Sequence, residues 1–189
     1  INGSSTNNHI LSVEGIGAQT TIQNLYIVGV NEDNMKSKAG VNAYNGANVV
    51  LNNVYIDNCG SVGVQVNGAT VEINGGEIKD NNWGGVNVDS TVSQDSQLTV
   101  NDADILDETS IYVEHNTNSS GQKMEVVVNG GTYQNIAMTD DGSADDTITI
   151  TGAQVTGVVN QSTNGVSTVS IIDSTITDTP PDADDNVIV

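Results

Sequence analysis

Acidic side chains recur at matched positions in the middle of the chain. Glu77 and Asp104 each stand one residue before an apolar Ile, at 78 and 105, and Asp80 and Asp107 each stand two residues after it. Asp102 and Glu108 lie close by. If these segments are neighbouring strands, like positions are about 4.8 Å apart. Two carboxylates at that distance repel by on the order of 1 kcal/mol in water, and by several times that at an effective dielectric near 20. Three outcomes would relieve the repulsion. The acids could form a solvated face, with Lys79 supplying one positive charge. They could hold a calcium ion through Glu77, Asp80, Asp102, Asp104 and Asp107, because hard cations take clustered carboxylate oxygens. Or one carboxyl could keep its proton and serve as a general acid. The segment TDDGSADD (139–146) adds Asp140, Asp141, Asp145 and Asp146, but without EF-hand spacing.

The aromatic residues are few. Tyr26 and Tyr55 occupy one frame position on successive repeats, each next to an apolar Ile, and should stack as an outward pair. Such a pair either forms a small carbohydrate platform or simply stabilises the sheet. Trp83 precedes Gly84 and Gly85, at an expected turn, where it reads as an exposed flank residue or a ligand contact. His9 and His115 stand alone in the frame, and His115 reads as a surface residue after a strand end. The single cysteine, Cys59, has no internal partner. It is either a small packed residue at a turn or one half of a bridge between chains.

The elements that must position these groups come from a repeat. Seven segments share a frame of two alternating apolar residues, a polar turn pair and a further apolar residue five positions after the second; VVLNNVYI (49–56), VEINGGEI (71–78) and LTVNDADI (98–105) are three of them. The second apolar positions are Ile22, Leu51, Ile73, Val100, Val128, Ile150 and Ile171, at intervals of 29, 22, 27, 28, 22 and 21 residues. Shorter alternating pieces follow, such as GVNA (40–43), GVQV (63–66), GVNV (85–88) and SIYV (110–113). Two or three strands of three to five residues per repeat cannot bury their own apolar face, so neighbouring repeats must stack. The expected fold is all-β, a single-stranded right-handed parallel β-helix (β-solenoid) of about seven coils, forming one domain over 1–189. Its repeat core runs from about 20 to 178, with a lead-in coil at 1–19 and a tail at 179–189. An antiparallel sandwich also has short strands and many turns, but nothing in it requires one frame to recur.

The coil length, the three-strand rhythm and an Asn at the first turn (Asn52, Asn74, Asn101 and Asn129) resemble the right-handed parallel β-helix superfamily of pectate-lyase-like proteins. The resemblance implies that these four asparagines form a stacked amide ladder at a left-handed turn. Gln23, Thr151 and Ile172 take the equivalent position at the ends, so the ladder would be central. Polyuronate lyases of that family rely on basic residues. This chain has no arginine and four scattered lysines, Lys36, Lys38, Lys79 and Lys123. A hydrolase would draw its acids from the Glu77–Asp107 group.

Composition narrows the function further. With 24 acidic and 4 basic residues the net charge is −20, which leaves no basic footprint for nucleic acid. No apolar run approaches the roughly 18 residues of a membrane-spanning helix. Strong acidity, few lysines and the sequons at Asn2, Asn118 and Asn160 suit an extracellular or cell-surface location. Pro180 and Pro181 would stop strand pairing, and NVIV (186–189) is a short strand candidate after them. The expected function is non-enzymatic, structural and adhesive: a self-assembling surface layer, sheath or filament, or the stalk or binding region of an adhesin. Its expected partners are copies of itself or extracellular polymers, and calcium is the expected ion. The alternatives are a carbohydrate-binding module using Tyr26, Tyr55 or Trp83, and a polysaccharide-cleaving enzyme.

Overall fold

Alternation of Val, Ile and Thr with polar residues makes strands, and Asn, Asp and Gly take the corners between them. The computed structural model describes residues 1, 8–32, 35–36, 38–91, 93–114, 121–139, 145–160, 167–178 and 187–188, and among these it contains strands and turns with no helix. The N-terminal part supplies β1 (Leu11–Glu14), β2 (Gln19–Gln23), β3 (Tyr26–Val28), β4 (Asn31–Glu32), β5 (Met35–Lys36) and β6 (Val41–Tyr44). Five two-strand coils follow: β7 (Asn48–Asp57) with β8 (Val62–Asn67), β9 (Thr70–Lys79) with β10 (Gly84–Asp89), β11 (Ser96–Asn101) with β12 (Asp104–Glu114), β13 (Met124–Asn129) with β14 (Thr132–Thr139), and β15 (Thr147–Thr151) with β16 (Gln154–Asn160). The last elements are β17 (Thr168–Ile172), β18 (Thr175–Ile176) and β19 (Val187–Ile188).

Every pairing in the main sheet is parallel and links one coil to the next, which makes the chain a β-solenoid. Three faces result. Face A stacks β2, the first half of β7, the first half of β9, β11, β13, β15, β17 and β19. Face B stacks β3, the later parts of β7 and β9, and then the first parts of β12, β14 and β16, with β18 last. Face C stacks β1, β6, β8, β10 and the ends of β12, β14 and β16. The expectation of about seven coils is slightly high. About five turns are complete, because the antiparallel β4–β5 hairpin interrupts the first turn and the last described turn lacks face C.

The seven frame residues lie in one register: Ile22 pairs Leu51, Leu51 pairs Ile73, and the column continues through Val100, Val128 and Ile150 to Ile171. A second column runs Ile27, Ile56, Ile78, Ile105, Tyr133, Val155, Ile176. Its members from Ile27 to Val155 are buried. Each fully buried aliphatic side chain contributes about 1.5–3 kcal/mol, so stacked apolar columns replace the aromatic core that a Phe-free chain lacks.

The corner between faces A and B is set by a left-handed residue on every coil: Asn24, Asn53, Gly75, Asp102, Gly130, Gly152 and Asp173, with φ between 47° and 64° except for Gly130 at 71°. These are the residue types that tolerate this conformation. The amide ladder stands one residue earlier. Asn52, Asn74, Asn101 and Asn129 are strand partners whose carboxamides hydrogen-bond in a chain, each Nδ2 donating to the preceding Oδ1 at 2.9, 2.8 and 2.9 Å. The expectation that the ladder residues themselves are left-handed is therefore corrected. Parallel pairing needs extended backbone at the ladder position, and the sharp turn falls on the next residue.

The corner between faces B and C is built differently. Gly40, Gly63, Gly85 and Ser110 stack there. A Cβ on Gly63 would lie 2.8 Å from the Gly85 carbonyl oxygen, and one on Gly85 would lie 2.7 Å from that of Ser110 and run into the Ile105 side chain. The glycines thus let the coils close around the inward isoleucines. Cys59 fills this corner, fully buried, with its backbone N–H donating to Asn81 Oδ1 at 2.9 Å. Burial pushes its thiol up to about 12. Neither exposure nor thiolate character supports a bridge between chains at Cys59.

Candidate functional site

The acids of the middle coils do not converge. Asp104 and Glu77 are strand partners, but each has its own contact: Glu77 Oε1 pairs with Lys79 Nζ at 2.6 Å, and Asp104 Oδ1 accepts from the Thr132 N–H at 3.0 Å. Asp102 takes the left-handed corner. The strand pairing that joins Glu77 with Asp104 and Ile78 with Ile105 does not extend to Asp80 and Asp107, which differ in burial, although the Asp80 charge, after desolvation, still helps raise the Asp107 pKa. β9 ends at Lys79 and Asp80 turns outward at φ 56°, whereas β12 continues through the same corner and buries Asp107. Asp107 accepts from Asn81, from its N–H at 2.6 Å and from Nδ2 at 3.1 Å. Desolvation raises its carboxyl pKa above the ordinary value, with the Asn81 hydrogen bonds acting against the rise. This carboxylate holds a corner. Glu108 is exposed. Among the described residues no group of three or more His, Cys, Asp and Glu side chains forms an arrangement able to hold a metal ion. Asp146 is buried and accepts from the Met124 N–H at 2.7 Å, a structural contact, and Asp145 lies 3.8 Å from Lys123. Asp140 and Asp141 lie outside the described residues, as does His115.

The aromatic residues separate into two places. Tyr26 and Tyr55 sit outward on face B, edge to face, with ring centroids 6.4 Å apart. The Tyr26 hydroxyl donates to Asp57, which raises the tyrosine pKa. Trp83 is 73% exposed at the start of β10 and belongs to a different surface.

That surface is a groove of about 840 Å³ along face C. Strand alternation dictates its lining, because Val and Ile point inward and their neighbours point out. One outward column runs Asn42, Gln65, Asn87, Tyr112 in register. The next runs Glu14, Tyr44, Asn67, Asp89, Glu114. Residues that precede the strands, His9, Lys38, Ser61 and Trp83, form the opposite margin together with Gly84, the first residue of β10. The four steps from β1 to β12 give the groove a length of about 19 Å.

The floor is tied together by side-chain hydrogen bonds. Asn42 Nδ2 donates to Ser12 Oγ at 2.9 Å, and Ser12 Oγ donates to Glu14 Oε1 at 2.8 Å. Gln65 Nε2 donates to Asn87 Oδ1 at 2.6 Å, and Asn87 Nδ2 donates to Glu114 Oε1 at 3.4 Å. Asn67 Nδ2 donates to Thr91 Oγ1 at 2.5 Å. Although they face outward, Asn42, Asn67 and Asn87 are only 6%, 8% and 8% exposed. Their carboxamides are held at fixed angles. His9 is half-buried, and its Nδ1 accepts from the Ala39 N–H at 3.2 Å. Desolvation and then Lys38 lower its pKa, against the pull of Glu14. The neutral imidazole is favoured, with Nε2–H left to donate.

Of the residues expected to bind a ligand, Trp83 alone lies in this groove. The pieces GVNA, GVQV, GVNV and SIYV carried the missing signal: their third residues, Asn42, Gln65, Asn87 and Tyr112, are the outward column. His9 and Glu14 precede the frame, so only the coil geometry brings them in. Asn160, a sequon residue, is buried in β16. No helix among the described residues is long and apolar enough to cross a membrane. No family model matches the chain, and neither curated proteins nor solved structures yield a match.

Proposed function

We propose that this chain is a non-enzymatic extracellular adhesive β-solenoid that binds a polysaccharide in the face C groove. The pectate-lyase-like resemblance is part of the same proposal. The observation that carries it is the groove itself: an amide column held in register, flanked by carboxylates and by Tyr44, Tyr112 and Trp83. Amides and carboxylates exchange hydrogen bonds with sugar hydroxyls, and aromatic faces cover the apolar C–H faces of the rings. A linear groove on a stiff rod suits an extended chain, and pre-ordered groups reduce the entropy cost of binding it. The tyrosine pair on face B lacks such surroundings and serves as sheet packing in this reading.

The test is a panel of soluble β-linked polysaccharides in affinity electrophoresis. At least one should retard the protein. Trp83→Ala should weaken that binding by about tenfold, the equivalent of about 1.4 kcal/mol, with an unchanged melting temperature. A double Tyr26→Ala, Tyr55→Ala variant should bind like the parent. Absence of binding to every polysaccharide, or full binding by Trp83→Ala, would remove the proposal. Release of reducing ends from a bound chain would replace it with the polysaccharide-cleaving reading.

A further inference from the structure

We infer that the groove selects glycans carrying free amino groups, glucosamine-type polymers in chemical class, over both uronate and N-acetylated chains. The inference rests on the glycan-binding reading and adds its specificity. Among the described residues, three carboxylates, Glu14, Asp89 and Glu114, and one ammonium, Lys38, line the groove. Asp89 and Glu114 are direct register partners on β10 and β12. Their Cα atoms are thus about 4.8 Å apart, and an ammonium between the two carboxylates would be shared by both. Tyr112, two residues before Glu114 in β12, lines the groove beside this pair and adds an aromatic surface there, whereas Trp83 stands across the groove on the opposite margin.

Two further lysines with described side chains are engaged elsewhere. Lys79 is paired with Glu77, and Lys123 lies near Asp145. Lys38 stands at the β1–β6 end, beside His9 and away from Asp89 and Glu114 in strand order. A uronate chain would bring carboxylates against Asp89 and Glu114 and into the field of a chain of net charge −20. An acetylated amine would offer no charge to either acid.

The test measures dissociation constants at low salt for the glucosamine hexamer, the N-acetylglucosamine hexamer and an oligogalacturonate. The glucosamine hexamer should bind at least about tenfold more tightly than the acetylated one, and the advantage should collapse in high salt. Bulk attraction to an acidic protein is separated from the groove by two double variants that lose the same charge. Asp89→Asn with Glu114→Gln should abolish the preference. Glu72→Gln with Glu125→Gln, at exposed positions on face A, should keep it. Equal binding of the amine and acetylated hexamers, or equal loss of preference in both double variants, overturns the inference while leaving the glycan-binding reading intact. If none of the three oligomers binds but a neutral polysaccharide does, the specificity is likewise overturned. Absence of binding to any glycan removes both.

Discussion

Faces A and C are built on the same inward architecture and present opposite surfaces. On face A the outward column reads Thr21, Val50, Glu72, Thr99, Val127, Thr149, Ser170, a row of mostly short side chains. On face C the equivalent row reads Asn42, Gln65, Asn87, Tyr112, and several of its amides are sunk among their neighbours and hydrogen-bonded. Inward positions are chosen by packing, and both faces obey that choice equally. The outward positions are where the faces diverge, so function is to be sought there.

The comparison breaks most severely at the corner that leads into face C. Gly85→Val drives methyl groups into Ile105 and the Ser110 carbonyl and should cost more than about 3 kcal/mol, or prevent folding. Gly152→Ala, at the corner beyond face A, meets no atom within 4 Å and should cost only about 1–2 kcal/mol for its left-handed backbone. Urea unfolding of both variants measures the contrast, and equal costs would show that the glycine column does not set coil closure.

Next in size is Asp107→Ala. It leaves two Asn81 donors without their acceptor and should cost about 2–4 kcal/mol. The same carboxyl gives a pH signature. Its pKa in the fold lies above its ordinary value of 3.8, so between those two values the folded chain holds a proton that the unfolded chain has released. Stability therefore falls as pH rises through that window. General repulsion among the acids has the same sign, so the informative quantity is a difference. The melting temperature of Asp107→Asn should fall less steeply than that of the parent from about pH 4 to pH 7. Parallel slopes would mean that Asp107 titrates as in the unfolded chain.

Smaller effects sharpen the contrast between the outer surfaces. Asn87→Ala removes hydrogen bonds to Gln65 and Glu114 and should lower stability by about 1–2 kcal/mol while weakening glycan binding. Thr99→Ala, on the open row of face A, should change stability by less than about 0.5 kcal/mol and leave binding alone. If the two variants behave alike in both measurements, the outward rows are equivalent and the groove has no special standing.

How much could be read from the sequence follows the same division. Both inward columns, the Asn positions and the strand rhythm were legible, because stacking forces one periodic choice on every coil. The late strand candidate also holds, since Val187 pairs with Val169 and Ile188 with Ser170. The unlike burial of Asp80 and Asp107 was not legible, because sequence spacing cannot reveal that β9 stops at the corner and β12 runs through it. Tyr26 and Tyr55 do stack, but on the face without a groove. The groove stayed hidden because an outward Asn in a ladder of amides looks, in sequence, like any solvated residue.

The left-handed residue after each ladder position has a consequence for how the chain tolerates change. It re-phases the backbone once per turn, so the winding starts afresh whatever came before. Added length accumulates after face C, between β10 and β11, β12 and β13, β14 and β15, and β16 and β17, and the columns of faces A and B still meet without slippage. A foreign peptide spliced into one of those four junctions should ride on the rod as cargo, with the stacking downstream undisturbed.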